Sequence, residues 1–207
     1  MAQFRRPVML RPAVADAIPG GGDVAARLGG AHRLTRQMLR DARRSPEGET
    51  SQRLVRLGYE LDAAELGELF GAAGPDTLPG TLLRLYRWQQ WLANQGDQAA
   101  LWFRLGAPAA AASSVISGVV MPPSAADIRA AADQILASFF ADDPGDALDR
   151  AQALADVLTV GIAVDADARD ATNPVSGSIM TTTAAYVADL ASNFGAAAKI
   201  ARAGALE

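Results

Sequence analysis

The 207-residue chain carries a net charge of −4, half of its residues are hydrophobic, and it contains no cysteine. This composition excludes disulfide bonds and thiolate metal sites, and the length suffices for one large domain or two small ones. The charge is unevenly distributed, because residues 1–59 hold 11 arginines against 5 acidic residues, whereas residues 108–207 hold 5 basic residues against 12 acidic ones. The chain is therefore basic at its start and acidic at its end.

Helix is the predicted state of every long segment, because alanine is abundant and no strand-like alternation is visible. We predict an all-α fold, an irregular bundle of about eight to ten helices, possibly divided into two lobes. Three regions are expected: a flexible N-terminal segment (1–22), a helical lobe with the arginines and tryptophans (23–107), and a helical lobe rich in alanine and aspartate (108–205). The two lobes can also form one domain. The final pair, Leu206 and Glu207, is typical of a cloning remnant and is left out of the fold.

The first long helix is predicted over residues 23–44, with Asp23 as its N-cap. One face of this helix carries four arginines: Arg33, Arg36, Arg40 and Arg44. Guanidinium groups concentrated on one face attract anions or an acidic protein, so these residues are the candidate anion- or partner-binding site. Two alternatives stay open, a solvated helix face and neutralisation by the acidic half of the same chain. Nucleic acid is a further alternative that we do not favour, because the face lacks interleaved aromatic residues.

The aromatic residues of the middle segment form a second candidate site. All three tryptophans fall on two consecutive predicted helices, separated by a break at residues 94–97. If these helices leave space between them, the pocket for a small molecule would be lined by Tyr86, Trp88, Trp91 and Trp102. The alternative is that these rings form the densest part of the core.

The acidic half is predicted to form helices separated by polar turns. Ser124 is an N-cap, and the turn at residues 143–145 starts another helix. Residues 165–174 are predicted to form a polar loop; their aspartates resemble the start of a Ca²⁺ loop, but Arg169 occupies a ligand position. The last helix is predicted over residues 178–203, and its buried face is expected to consist of Thr183, Tyr186, Leu190, Phe194, Ala197 and Ala201.

No complete catalytic arrangement is visible in the sequence. His32 is the single histidine, so a catalytic triad or a histidine metal site has at most one imidazole. We therefore predict no catalytic residue, no metal and no cofactor. The protein is interpreted as a non-catalytic helical interaction or assembly protein that self-associates as a homo-oligomer or binds an acidic partner. An enzyme or small-molecule-binding protein with an aromatic pocket, and a nucleic-acid-binding protein, are the alternatives.

The expected location is the cytoplasm, without a membrane span. The N-terminus lacks the apolar stretch of a secretory signal, and prolines interrupt the longest uncharged run, residues 105–126. The excess of arginine over lysine, together with the abundance of alanine, is typical of a high-GC genome, and we predict a bacterial source.

Overall fold

The computed structural model describes residues 24–45, 48–70 and 73–207. These residues form nine α-helices and no strand, which confirms the predicted all-α bundle of eight to ten helices. In chain order the helices are α1 (Val24–Arg44), α2 (Glu49–Glu60), α3 (Ala63–Phe70), α4 (Leu78–Asn94), α5 (Gly96–Gly106), α6 (Ala111–Ser117), α7 (Ala125–Ala141), α8 (Pro144–Asp170) and α9 (Pro174–Arg202). The predicted flexible segment 1–22 and the predicted cap Asp23 lie outside the described residues.

Polar caps set the starts of most of these helices. At α7, Ser124 and Asp127 form a reciprocal capping box, in which each side chain accepts a hydrogen bond from the other residue's backbone N–H. Side-chain caps also begin four other helices: Asp62 at α3, Thr77 at α4, Asp143 at α8 and Asn173 at α9. These caps satisfy backbone N–H groups that the first turn of a helix leaves without partners.

The two longest helices, α8 and α9, form an antiparallel pair joined by a short turn. α5, α6 and α7 pack on α8, while α4 packs on α3 and α7, and α1 lies against α4 and α7. One hydrophobic core includes Leu82 and Trp102 from the first half and Leu154 and Val187 from the second. The boundary near residue 107 stays a prediction.

The predicted polar loop over residues 165–174 is wrong. α8 continues to Asp170, and α9 begins at Pro174 rather than at residue 178. Asp165 is buried, and two hydrogen bonds offset the cost of burying its carboxylate. Its Oδ2 accepts a 2.9 Å hydrogen bond from Trp102 Nε1, and its Oδ1 accepts one of 2.9 Å from Arg169 Nε. Burial raises the pKa of Asp165, but the hydrogen bonds from Arg169 and Trp102 and the charge of Arg169 outweigh it and hold the pKa below its ordinary value.

Three smaller differences from the sequence predictions concern the ends and faces of helices. Residues 111–117 form α6, for which no helix was predicted. Tyr186, predicted on the buried face of the last helix, is 61% exposed. The final pair belongs to the fold, because Leu206 packs against the core and the backbone oxygen of Glu207 accepts a 2.8 Å hydrogen bond from the N–H of Leu78.

Candidate functional site

The arginines of α1 lie on the outer side of the bundle. Ala31, Met38 and Ala42 are buried against the neighbouring helices, so the opposite side of α1 faces solvent. We call this side the α1 basic surface and define it by its exposed arginines: Arg33, Arg36, Arg40, Arg43 and Arg44. Residues three and four apart on a helix share a face, and the sequence pattern identified four of these five arginines.

A cavity of about 410 Å³ borders the α1 basic surface and gives it an apolar wall. Its arginines are Arg36, Arg40 and Arg43, which lie at spacings of four and three residues on α1. Its other lining residues come from four different parts of the chain: Leu39, Leu78, Pro144, Ala201, Gly204 and Leu206. Arg43, which the sequence pattern placed at the margin of the arginine face, therefore belongs to the site, whereas Arg33 and Arg44 lie outside the cavity.

Most of these arginines have no acidic partner in the described part of the chain. Arg36 pairs with the carboxylate of Glu207 at 3.2 Å, and both side chains are largely exposed. Arg40 donates to Gln37 Oε1 at 2.9 Å, and Arg43 donates to the backbone oxygen of Asp142 at 3.4 Å. Neutralisation by the acidic half of the same chain therefore extends, among the described residues, to one of the five arginines.

An acidic patch lies next to the α1 basic surface, at the start of α8. It consists of Asp142, Asp143, Asp146 and Asp149. The two surfaces are adjacent because Arg43 reaches the backbone of Asp142 and Pro144 lines the arginine cavity. Arg202 pairs with Asp146 at 3.5 Å and also with Asp149, but its single charge leaves the patch negative.

The predicted aromatic pocket corresponds to a stack of rings. Trp91 stacks on Trp88, with ring centroids 5.1 Å apart, and on Trp102, with centroids 5.7 Å apart. Tyr86 stacks on Phe70, and its hydroxyl donates a 2.9 Å hydrogen bond to the backbone oxygen of Leu54. Tyr86, Trp88 and Trp102 are buried and Trp91 is half-buried. The ligand pocket therefore stays a prediction that the ring packing does not support.

A larger cavity, of about 540 Å³, lies between α4 and α9, and the sequence pattern did not identify it. We call it the α4–α9 cleft; it is lined by Ala73, Leu83, Arg84, Arg87, Tyr186, Asp189, Leu190 and Asn193. Leu83 and Leu190 are buried and form an apolar floor, while the polar side chains surround it. Each helix contributes residues three or four apart, but the two sets are about a hundred residues apart in sequence, so neither pattern alone predicts the cleft.

Two arginines and one aspartate are the charged residues that line the α4–α9 cleft. Arg84 is half-buried, its Nη1 donates to the backbone oxygen of Gly80 at 2.9 Å, and burial lowers the pKa of its guanidinium. Neither Arg84 nor Arg87 forms an ion pair within the described ranges, and the same holds for Asp189. The charges of Arg87 and Asp76 also act on Arg84. The side chains that line the cleft therefore present both signs of charge beside an apolar floor.

Two other kinds of site have no support in the described residues. No group of three or more histidine, aspartate or glutamate side chains there is arranged to hold a metal ion. Within the same ranges, no helix has the length and the apolar character that crossing a membrane requires.

Comparison with known proteins found no match to the chain among protein-family models, curated proteins or solved structures.

Proposed function

We propose that the protein is a non-catalytic helical assembly protein, and that it pairs with a second copy of itself through the α1 basic surface. The observation that carries this proposal is the adjacency of opposite charges. Arg40 and Arg43 line an apolar-walled cavity together with Pro144, and Arg43 also reaches the backbone of Asp142 in the acidic patch. A surface of this kind is complementary to itself. A two-fold axis between the patches places each basic surface over the acidic patch of the other copy.

The composition of the surface suits a protein interface. Arginine is enriched at the centres of interfaces, where its planar guanidinium can bind a carboxylate through two hydrogen bonds. The wall formed by Leu39, Leu78 and Leu206 supplies apolar area, which excludes water and strengthens the neighbouring ion pairs. An exposed ion pair without such a wall contributes little.

The same geometry argues against the two alternative functions of the α1 basic surface. A nucleic acid would meet the acidic patch beside the arginines, and its phosphates would be repelled there. The acidic patch would also repel an unrelated acidic protein, so removing the patch would not weaken the binding of such a partner. We also propose, as predicted from the sequence, that the protein is cytoplasmic and has a bacterial source.

Sedimentation velocity at low and high salt tests the proposal. We expect a dimer at low salt that dissociates at high salt, because salt screens exposed charges. Replacing Arg36, Arg40 and Arg43 by glutamine should yield a monomer. A matched control, Arg27→Gln with Arg53→Gln and Lys199→Gln, removes the same charge from exposed positions outside the cavity and should still dimerise.

Three results would overturn the proposal: a monomer at every salt concentration, a dimer that is indifferent to salt, or equal dissociation of both triple variants. The far-ultraviolet circular dichroism of each variant should match that of the parent protein, since all six positions are exposed.

A further inference from the structure

We infer that the α4–α9 cleft binds a small zwitterionic amino compound, either an apolar α-amino acid or a short peptide with an apolar side chain. The ligand's carboxylate would bind the guanidinium groups of Arg84 and Arg87, and its ammonium group would bind Asp189. This inference is independent of the proposed assembly function, because the α1 basic surface and the cleft share no residue.

The size of the cleft fits a small molecule. Ligand cavities commonly measure about 300–1,000 Å³, and the α4–α9 cleft, at about 540 Å³, lies within that range. Its floor of Leu83 and Leu190 offers apolar contact, and its rim is polar. Apolar walls with a few convergent polar groups are typical of cavities that bind small organic molecules.

The charges of the cleft distinguish a zwitterion from a simple anion. Arg84 and Arg87 lie one turn apart on α4, so their guanidinium groups can bind one carboxylate between them. An anion without a cationic group, such as phosphate, would be repelled by Asp189 and would leave the apolar floor uncovered. A zwitterion with an apolar side chain uses all three parts of the cleft.

The remaining polar side chains can contribute hydrogen bonds to such a ligand. Tyr186 and Asn193 lie seven residues apart on α9, two turns of the helix, and flank Asp189. A hydroxyl and an amide can both donate to a carboxylate and accept from an ammonium group. Neither side chain makes a hydrogen bond to another residue in the described ranges.

Isothermal titration calorimetry with the full chain tests the inference. The probes are L-leucine, leucyl-leucine, N-acetyl-leucine, leucinamide and inorganic phosphate. We expect leucine or leucyl-leucine to bind, and whichever binds more tightly identifies the amino acid or the peptide as the ligand class. Acetylating the amine or amidating the carboxylate should each weaken binding about tenfold or more, because each removes a charge-assisted hydrogen bond.

Variants assign each end of the ligand to its partner. Arg87→Gln should weaken leucine about tenfold but should not weaken leucinamide, which has no carboxylate to lose a partner. Asp189→Asn should weaken leucine but should not weaken N-acetyl-leucine, which has no ammonium group and which the charge of Asp189 repels. Lys199→Gln and Asp167→Asn, which are exposed substitutions outside the cleft, should leave both affinities unchanged. The inference is overturned if neither zwitterion binds at millimolar concentration, if phosphate binds as well as leucine, or if the cleft variants behave like the controls.

Discussion

The aromatic region around α4 and the contact between α5 and α8 are stabilised in opposite ways. In the first, Tyr86 contacts the rings of Phe70 and Phe140, and large side chains fill the space between helices. In the second, Gly106 and Gly161 let two backbones approach directly; a Cβ added at Gly161 would overlap the carbonyl oxygen of Trp102 and lie 2.5 Å from its carbonyl carbon. A smaller side chain should therefore destabilise the aromatic region, whereas a larger one should destabilise the contact between α5 and α8.

Removing a ring from the aromatic region should have the largest effect. Phe140 is fully buried, and Phe140→Ala should lower the free energy of unfolding by about 4 kcal/mol, because it removes apolar contact and leaves a cavity. Urea denaturation followed by circular dichroism measures the change. Ile179→Ala removes an apolar side chain that is 58% exposed, and should change the free energy by less than about 0.5 kcal/mol. Similar losses in both variants would contradict the aromatic packing.

Adding one methyl group to the glycine contact should have the next largest effect. Gly161→Ala should lower the free energy of unfolding by about 2–3 kcal/mol, because α5 must move away from α8 to accommodate the Cβ. The control is Gly30→Ala in α1, where no atom beyond the adjacent backbone of the same helix lies within 4 Å of the added Cβ. There the better helix propensity of alanine should raise the free energy of unfolding by about 0.5–1 kcal/mol. A stabilised Gly161→Ala variant would show that the two backbones are not in contact.

A hydrogen bond within the second region, between Trp102 of α5 and Asp165 of α8, should have the smallest effect. Asp165→Asn replaces a buried carboxylate that accepts from Trp102 and Arg169, and should cost about 1.5 kcal/mol at neutral pH. The folded state lowers the pKa of Asp165, so its contribution is present above the unfolded pKa of about 3.9 and is lost as the pH falls through the folded pKa. The difference between parent and variant in urea denaturation should therefore shrink below about pH 4.

A matched substitution distinguishes this contribution from a general effect of removing charge. Asp167→Asn, at an exposed position two residues along α8, should change the free energy of unfolding by less than about 0.5 kcal/mol. An equal, pH-independent loss in the Asp165 and Asp167 variants would indicate that the contact with Trp102 contributes nothing.

The sequence predicted the helices well where capping residues and apolar periodicity agreed. Ser124, the turn at residues 143–145 and the break at residues 94–97 all coincide with helix boundaries. The prediction was wrong at residues 165–174 because a run of aspartates suggested solvent, whereas Asp165 is buried through a tertiary contact with Trp102. The four-residue spacing of Asp165 and Arg169 was a helical signal that could have corrected the prediction.

A candidate surface could be predicted from the sequence to the extent that its residues lie on a single helix. Four of the five residues of the α1 basic surface follow from the spacing along a single helix, but its cavity also needs Pro144 and Leu206, which tertiary packing brings there. The α4–α9 cleft joins two helices that are distant in sequence, and Tyr186 was assigned to a buried face from its period alone. Periodicity identifies the faces of a helix, but it does not say which face meets a partner.

Mixing two charge-reversed variants tests the central claim, pairing of two copies through adjacent opposite charges, most directly. Arg36→Glu with Arg40→Glu and Arg43→Glu leaves two arginines against three glutamates on the basic surface. Asp142→Lys with Asp146→Lys and Asp149→Lys leaves one aspartate against three lysines in the acidic patch, so each variant reverses the charge of one surface. In sedimentation velocity at low salt, each variant alone should be monomeric, and an equimolar mixture should form a heterodimer, because both contacts then join opposite charges. A mixture that stays monomeric, or either variant dimerising alone, would contradict the proposed assembly.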